Sequence, residues 1–188
     1  METRDRLLDA AETVCRQRGY EGFSYADLSA VVGIRKASIH HHFATKADLA
    51  AALIARYSAA FLARLEELSR QGRPASQQLA AYIDLYRDAL NEGEQVCLCV
   101  ALGSDRDSLS ETVLSELQHF HETSGAWLKT VFQAGRTDGS ISTVTDADSE
   151  AAACLALMEG AQLLARASKD MTAFDLATKA LRTRLVAP

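Results

Sequence analysis

The sequence predicts an all-α protein of about nine helices. Three observations carry this: apolar residues recur at three- and four-residue spacing, only Pro74 and Pro188 interrupt the chain, and no stretch alternates β-branched residues as a half-buried strand would. Residues 141–145 are the one short extended candidate and read as loop.

The first helix is expected over about residues 3–18, where Leu7, Ala11 and Val14 share a face and Gly19 supplies the stop. Ser24, with Asp27 three positions on, forms a capping box that opens a short second helix. It ends near Val32, and Gly33 tolerates the positive φ of a sharp turn. A third short helix takes about residues 36–43. A second box, Thr45 with Asp48, opens a long helix through Leu49, Leu53, Tyr57 and Phe61 to about Leu68. Gln71, Gly72, Arg73 and Pro74 break the chain, and Leu79, Tyr82, Ile83, Tyr86 and Leu90 then mark an amphipathic helix that stops at Gly93. An apolar piece over 96–102 is the sixth element, and three more helices are expected at about 108–133, 146–167 and 172–185.

Composition excludes several classes. With 188 residues, 48% hydrophobic and 24% charged, the chain is not low in complexity. A chain of this size buries roughly 70% of its unfolded surface and needs no disulfide or structural metal. The longest apolar run, 151–158, has eight residues, against about 20 for a membrane span. Residues 1–6 carry alternating charges and no secretory pattern, so a cytoplasmic protein with no membrane partner is expected. Cys15, Cys97, Cys99 and Cys154 are too few and too scattered for a disulfide scaffold. The net charge of −5 argues against a polycation wrapped on nucleic acid. Residues 1–50, however, hold seven basic and seven acidic side chains, so the excess acid lies beyond them.

Two short helices joined by a glycine-containing turn and held against a first helix make a helix-turn-helix, whose second helix fits a DNA major groove. At about 100° per residue, Ile39 and Phe43 point inward, Ala37, Ser38 and His41 point outward, and Lys36, His40 and His42 flank the seam. Arg35 and Lys36 begin this helix with no Ser, Thr, Asp or Asn cap, where the helix dipole disfavours cations. That placement suits an arriving phosphate; a solvated basic turn is the alternative. The run His40-His41-His42 does not converge on one metal ion, because successive side chains on a helix diverge.

The order Ser24, Leu28, Ser29, Gly33, Ile34, Lys36, Ala37, Ser38, Ile39, His40, His42, Phe43, Thr45, Lys46, Asp48, Leu49 resembles the DNA-binding signature of the TetR family of transcriptional regulators. His40 stands where that family usually has tyrosine, and Arg35 where it often has a small residue. The resemblance implies a helix-turn-helix DNA-binding domain over residues 1–47 and a helical effector-binding and dimerisation domain over 48–188. It implies a homodimeric regulator, most often a repressor in this family, bound to double-stranded operator DNA. It also implies that Ser24, Tyr25, Lys36, His40 and Lys46 hold phosphates, while Arg35, Ala37, Ser38 and His41 approach base edges.

Helical DNA readers of this kind bind as two-fold dimers. In the helix over 146–167 one stripe reads Ala147, Ala151, Cys154, Met158, Ala161 and Ala165, and a second reads Ala153, Leu157, Gly160 and Leu164. Two stripes call for two burials, one against the chain's own core and one against a twin subunit. The last helix, with Phe174, Ala177, Leu181 and Leu185, is expected to join a four-helix bundle. Ala151, Leu155, Met158, Phe174 and Leu181 are the expected interface; a helix buried wholly in one chain is the alternative.

Tyr82, Tyr86, Phe120 and Trp127 either fill the core or line an apolar pocket for an unidentified small effector. Cys97 and Cys99 lie in an apolar segment, as small core residues or as sensors. By resemblance, Cys97 takes the position from which some family members sense electrophiles or oxidants, a role that needs a thiolate and a nearby cation the sequence does not identify. A metal site of Cys97, Cys99, His119 and His121 is disfavoured, since each i, i+2 pair is sent to nearly opposite sides of a helix. No G-x-S-x-G, H-E-x-x-H, Walker or dinucleotide fingerprint occurs, so no enzyme, cofactor or metal is expected. The rival from another class is a helical interaction module without DNA contact.

Overall fold

The structure, a computed structural model, describes residues 2–186. Among them are nine α-helices: α1 (Thr3–Arg18), α2 (Tyr25–Val32), α3 (Lys36–His42), α4 (Lys46–Arg70), α5 (Ala75–Ala89), α6 (Leu98–Gly103), α7 (Glu111–Asp138), α8 (Ala147–Ser168) and α9 (Met171–Arg182). The all-helical class and the helix count are as the sequence predicts. The seventh helix starts later than expected because Arg106–Ser108 forms a 3-10 turn ahead of it. Of the 141–145 segment, Ile141 makes an isolated antiparallel bridge with Leu185. No helix among the described residues is long and apolar enough to cross a membrane. The chain divides into two compact units: residues up to Ala60 with Leu98–His119, and Phe61–Cys97 with the residues from Phe120 onward.

In the first unit, α1 buries Leu7, Leu8, Ala11, Val14 and Cys15. Gly19, at φ +77°, ends the helix, and a side chain there would meet the Asp105 carboxylate at 2.9 Å. That carboxylate accepts the Tyr20 N–H at 2.6 Å and so closes the α1–α2 loop. Arg56 of α4 reaches Asp9 at 2.8 Å and Glu12 at 3.2 Å on α1. Arg6 donates to the Val32 carbonyl at 2.7 Å, supplying one of the last carbonyls of α2 with a partner that the helix itself cannot give.

In the second unit, α8 turns Ala147, Ala151, Cys154, Met158, Ala161 and Ala165 into the core, with one polar exception, Gln162. Its Oε1 accepts the Cys97 N–H at 2.7 Å and its Nε2 donates to the Tyr86 carbonyl at 2.6 Å. One buried amide thereby joins α8, α5 and the segment leading into α6. At the other end of α5, Asp138 and Ser140 accept the N–H groups of Ala75 (3.3 Å) and Ser76 (3.1 Å), which otherwise lack partners behind Pro74. Arg184 grips Glu150 through two nitrogens at 2.8 and 2.7 Å, fastening the chain after α9 to α8.

Each buried polar group left without a partner costs about 1–3 kcal/mol. Gln162→Leu, similar in volume, removes the hydrogen bonds to the Cys97 N–H and the Tyr86 carbonyl together. It is expected to lower stability by about 2–5 kcal/mol in denaturant unfolding; a loss below about 1 kcal/mol would show that neither group depends on Gln162.

Candidate nucleic-acid interface

The turn between α2 and α3 is built from its ends. The Ser24–Asp27 box is complete: the Ser24 Oγ accepts from the Ala26 N–H, and the Asp27 carboxylate accepts the Ser24 N–H at 2.7 Å. The Ser24 hydroxyl, which donates to the same carboxylate at 2.7 Å, and then the Ser24 N–H hold the Asp27 carboxyl below its ordinary range. Gly33 closes α2 in the left-handed region at φ +74°, which a residue without Cβ occupies at no steric cost. Ser29 Oγ donates to the Ile34 carbonyl at 2.5 Å across this turn. The Thr45–Asp48 box then opens α4, with the Thr45 N–H on the carboxylate at 2.9 Å and the Asp48 N–H on the Thr45 hydroxyl at 3.1 Å.

Between these fixtures, α3 buries Ile39 and the following Phe43 and leaves Lys36, Ala37, Ser38, His40, His41 and His42 exposed, with Arg35 exposed at its N-cap. The sequence-derived faces are those observed. Besides Ser24, whose hydroxyl is held by Asp27, three expected phosphate contacts have local partners. The Tyr25 hydroxyl lies 3.0 Å from the Phe43 carbonyl and 2.5 Å from the Thr45 carbonyl, so its proton is spent inside the domain. Burial and the Asp48 charge push that phenol up to about 12. The Lys46 ammonium sits over the Tyr20 ring at 4.3 Å and the Phe23 ring at 4.7 Å. His40 sets Nδ1 3.0 Å from the Ala44 carbonyl, with its ring edge-on to Tyr25 at 4.9 Å between centroids.

The second unit brings the expected aromatic residues together. Trp127 stacks on Tyr82 with centroids 5.5 Å apart, and Phe61 meets Tyr82, Tyr86 and Phe120 at 6.2, 5.7 and 5.1 Å. Tyr82, Tyr86 and Phe120 are fully buried. The Tyr82 hydroxyl lies 3.0 Å from Ser124 Oγ, and burial raises its pKa. The Trp127 indole N–H donates to the Leu65 carbonyl at 3.1 Å and to Ser69 Oγ at 2.9 Å. Cys97 and Cys99 are both buried, Cys97 at 2% exposure, and all four cysteines are thiols. His121 faces Glu159 at 2.9 Å, and that hydrogen bond raises its pKa against the opposing effect of burial. Cys97 lies within the electrostatic reach of the same imidazole.

The expected interface residues need correction. Ala151, Met158, Phe174 and Leu181 are buried within the single chain, so their side chains fill its own core and do not face a partner. Leu155 is half-buried. The periodicity of α8 and α9 is right, but the stripe assigned to the partner is the one the core takes. Outward lie Ala153, Leu163 and Leu164 on α8 and Leu176 on α9, the last two at 60% and 73% exposure.

Residues 7–53 match the family model described as bacterial regulatory proteins, tetR family, and residues 75–181 match the tetracyclin repressor-like C-terminal domain. The chain belongs to the TetR family. A transcriptional regulator of that family from Agrobacterium tumefaciens is 35% identical, with a TM-score of 0.91 over 98% of this chain and 97% of that one. The HTH-type transcriptional repressor NemR of Escherichia coli strain K12 is 28% identical over all of this chain and 96% of its own length. The reduced form of E. coli NemR superposes with a TM-score of 0.82. As a TetR-family member this protein is a DNA-binding transcriptional regulator, not an enzyme.

Sequence reasoning missed several residues of this TetR-family protein. Gln162 is a single amide in an apolar stripe, a signal visible in the sequence but not interpretable without its partners. Asp105 acts on Tyr20 from 85 residues away, and no local pattern marks it. The Ser58 hydroxyl on α4 is buried with no hydrogen-bond partner among the described residues, a cost that a bound polar group would relieve. Tyr25 emerges as the tie between α2 and the α3–α4 turn. Tyr25→Phe is expected to lose about 1 kcal/mol of stability and to weaken specific DNA binding by more than that; equal affinity for a selected duplex in fluorescence titration would remove Tyr25 from the positioning of α3.

Proposed function

We propose that this regulator is a homodimeric repressor of the cytoplasm, released from its operator by a small-molecule, electrophilic or oxidising effector. Residues 1–47 form its DNA-binding domain and residues 48–188 its effector-binding and dimerisation domain. The exposed polar face of α3, backed by buried Ile39 and Phe43, carries this reading. Arg35, Ser38 and His41 read base edges in the major groove, with Ala37 on the groove floor. Lys36 and His40 flank them on phosphates, and Ser24 and Lys46 add contacts from the neighbouring helix starts.

The outward apolar positions of α8 and α9, Leu163, Leu164 and Leu176, support pairing with a second copy, since large side chains left in water stabilise an interface when covered. The aromatic cluster around Tyr82, Tyr86, Phe120 and Trp127 supports binding of an apolar effector between helices. Its mechanism is a shift of population: an effector that prefers a conformation with wrongly spaced recognition helices weakens operator binding by that preference, about 1–3 kcal/mol. Helix α4, which starts beside α3 and continues into the second unit, is the lever.

Cys97 is the reactive position of this reading, with Cys99 as its neighbour. The Glu159 hydrogen bond raises the pKa of His121, which lies within the electrostatic reach of Cys97, and this supports its assignment as the cation the sequence leaves unidentified. A charged imidazole favours the thiolate. The thiolate adds to the β-carbon of an unsaturated carbonyl, forming the C–S bond; the π pair moves to the α-carbon, which takes the proton the thiol gave up. Cys97→Ser is expected to abolish maleimide-triggered release from DNA while leaving basal binding intact, checked by mobility shift; full release from the variant refutes sensing at Cys97.

Ala37 is small and exposed, and a larger side chain there holds α3 off the groove floor. Ala37→Leu is expected to weaken specific binding by 100-fold or more, roughly 3 kcal/mol, with the circular-dichroism melt unchanged. Retained operator binding would overturn the docking of α3.

A further inference from the structure

His40 is in contact with a carbonyl oxygen through one ring nitrogen, and the chemistry of that contact dictates what the other nitrogen offers. Nδ1 lies 3.0 Å from the Ala44 carbonyl oxygen. A carbonyl oxygen carries no proton, so the bond exists only if Nδ1 is the N–H. In the neutral ring the proton is then at Nδ1, and Nε2 presents a lone pair. The Tyr25 ring, edge-on at 4.9 Å, packs against this imidazole.

A phosphate oxygen is likewise an acceptor without a proton. Neutral His40 therefore turns a lone pair toward it, and the two repel. Only the imidazolium, with N–H at both nitrogens, satisfies the Ala44 carbonyl and a phosphate at once, and it adds a favourable charge. We infer that His40 holds operator phosphate only as the imidazolium, so that each His40 takes up a proton when the protein binds DNA. This rests on the reading that His40 faces a phosphate beside the groove.

The groups around the ring do not replace this proton. On α3 itself Lys36, His41 and His42 are exposed cationic or titratable neighbours. From α2, Tyr25 stays a neutral phenol with its hydroxyl on the Phe43 and Thr45 carbonyls. From α4, Asp48 is engaged in the Thr45 capping box and Lys46 is held over Tyr20 and Phe23. From α1, Arg4 lies over the Phe43 ring at 5.2 Å. The sign follows from linkage: a site protonated in the complex and not in the free protein strengthens binding as pH falls and weakens it as pH rises, by up to about tenfold per pH unit for each proton taken up.

The test uses the full chain and a duplex that the protein itself selects from random DNA, titrated by fluorescence anisotropy at constant ionic strength at pH 6, 7 and 8. Wild type is expected to lose affinity as pH rises. His40→Ala should bind more weakly than wild type at pH 6 and converge on it at pH 8, which separates His40 from His41 and His42. His40→Tyr, whose phenol donates a proton throughout this range, should flatten the profile. If wild type and His40→Ala differ by the same factor at every pH, His40 touches DNA but takes up no proton, and the inference fails while the phosphate contact stands. If His40→Ala binds like wild type at all three values, the phosphate contact fails and the inference with it. Thermal melts at each pH establish that the variants are folded.

Discussion

A helix of seven residues does not hold its own shape in water, because its nucleation cost is spread over too few hydrogen bonds. The direction of α3 is therefore imposed by what surrounds it, and the DNA-binding face exists only as long as that holds. Burial of Ile39 and Phe43 sets its rotation about its own axis. The Gly33 turn and the Ser29–Ile34 bond set its start, and Tyr25 together with the Thr45–Asp48 box sets its end. No side chain caps its first turn. Apart from His40, which reaches the Ala44 carbonyl and packs on Tyr25, the exposed residues of α3 stand outside this frame, so they are free to be chosen for recognition.

The second unit solves a different problem. Its core holds hydroxyl and amide groups, with the half-buried Trp127 indole at its edge, and burial penalises such groups unless each finds a partner. Tyr82 with Ser124, Gln162 with Cys97 and Tyr86, and Trp127 with Leu65 and Ser69 are those partnerships. Such a core has polar handles already positioned among its aromatic rings. On the reading proposed above, an effector entering here would exchange one set of aromatic and hydroxyl contacts for another. The polar partnerships are thus compatible with both a stable fold and a binding site.

The parts legible in the sequence are those set by neighbours in the chain. Both capping boxes, the glycine turn and the inward pair Ile39 and Phe43 depend on residues within four positions of one another, and all stand as read. The two stripes of α8 were equally legible as stripes. Which one the subunit keeps for itself was not, because period alone gives the angle between two faces and says nothing of what packs on either. The inner stripe, Ala151, Cys154, Met158 and Ala161, is made mostly of small residues that admit a close neighbour, while the large Leu163 and Leu164 lie outside. Bonds such as Tyr20 to Asp105 and Cys97 to Gln162 join positions 85 and 65 residues apart. No window of sequence contains both partners.

Charge adds a constraint on how such a frame reads DNA. The first fifty residues balance seven basic against seven acidic side chains, and the acid excess lies in the rest of the chain. Sequence-independent affinity grows with the number of phosphates neutralised. Arg6 is committed to a carbonyl and, just beyond residue 50, Arg56 to Asp9 and Glu12, so part of the positive charge in and beside this region serves the fold. On the reading proposed above, discrimination comes from the base-facing positions of α3, where one methyl group too many at Ala37 changes what the helix can hold.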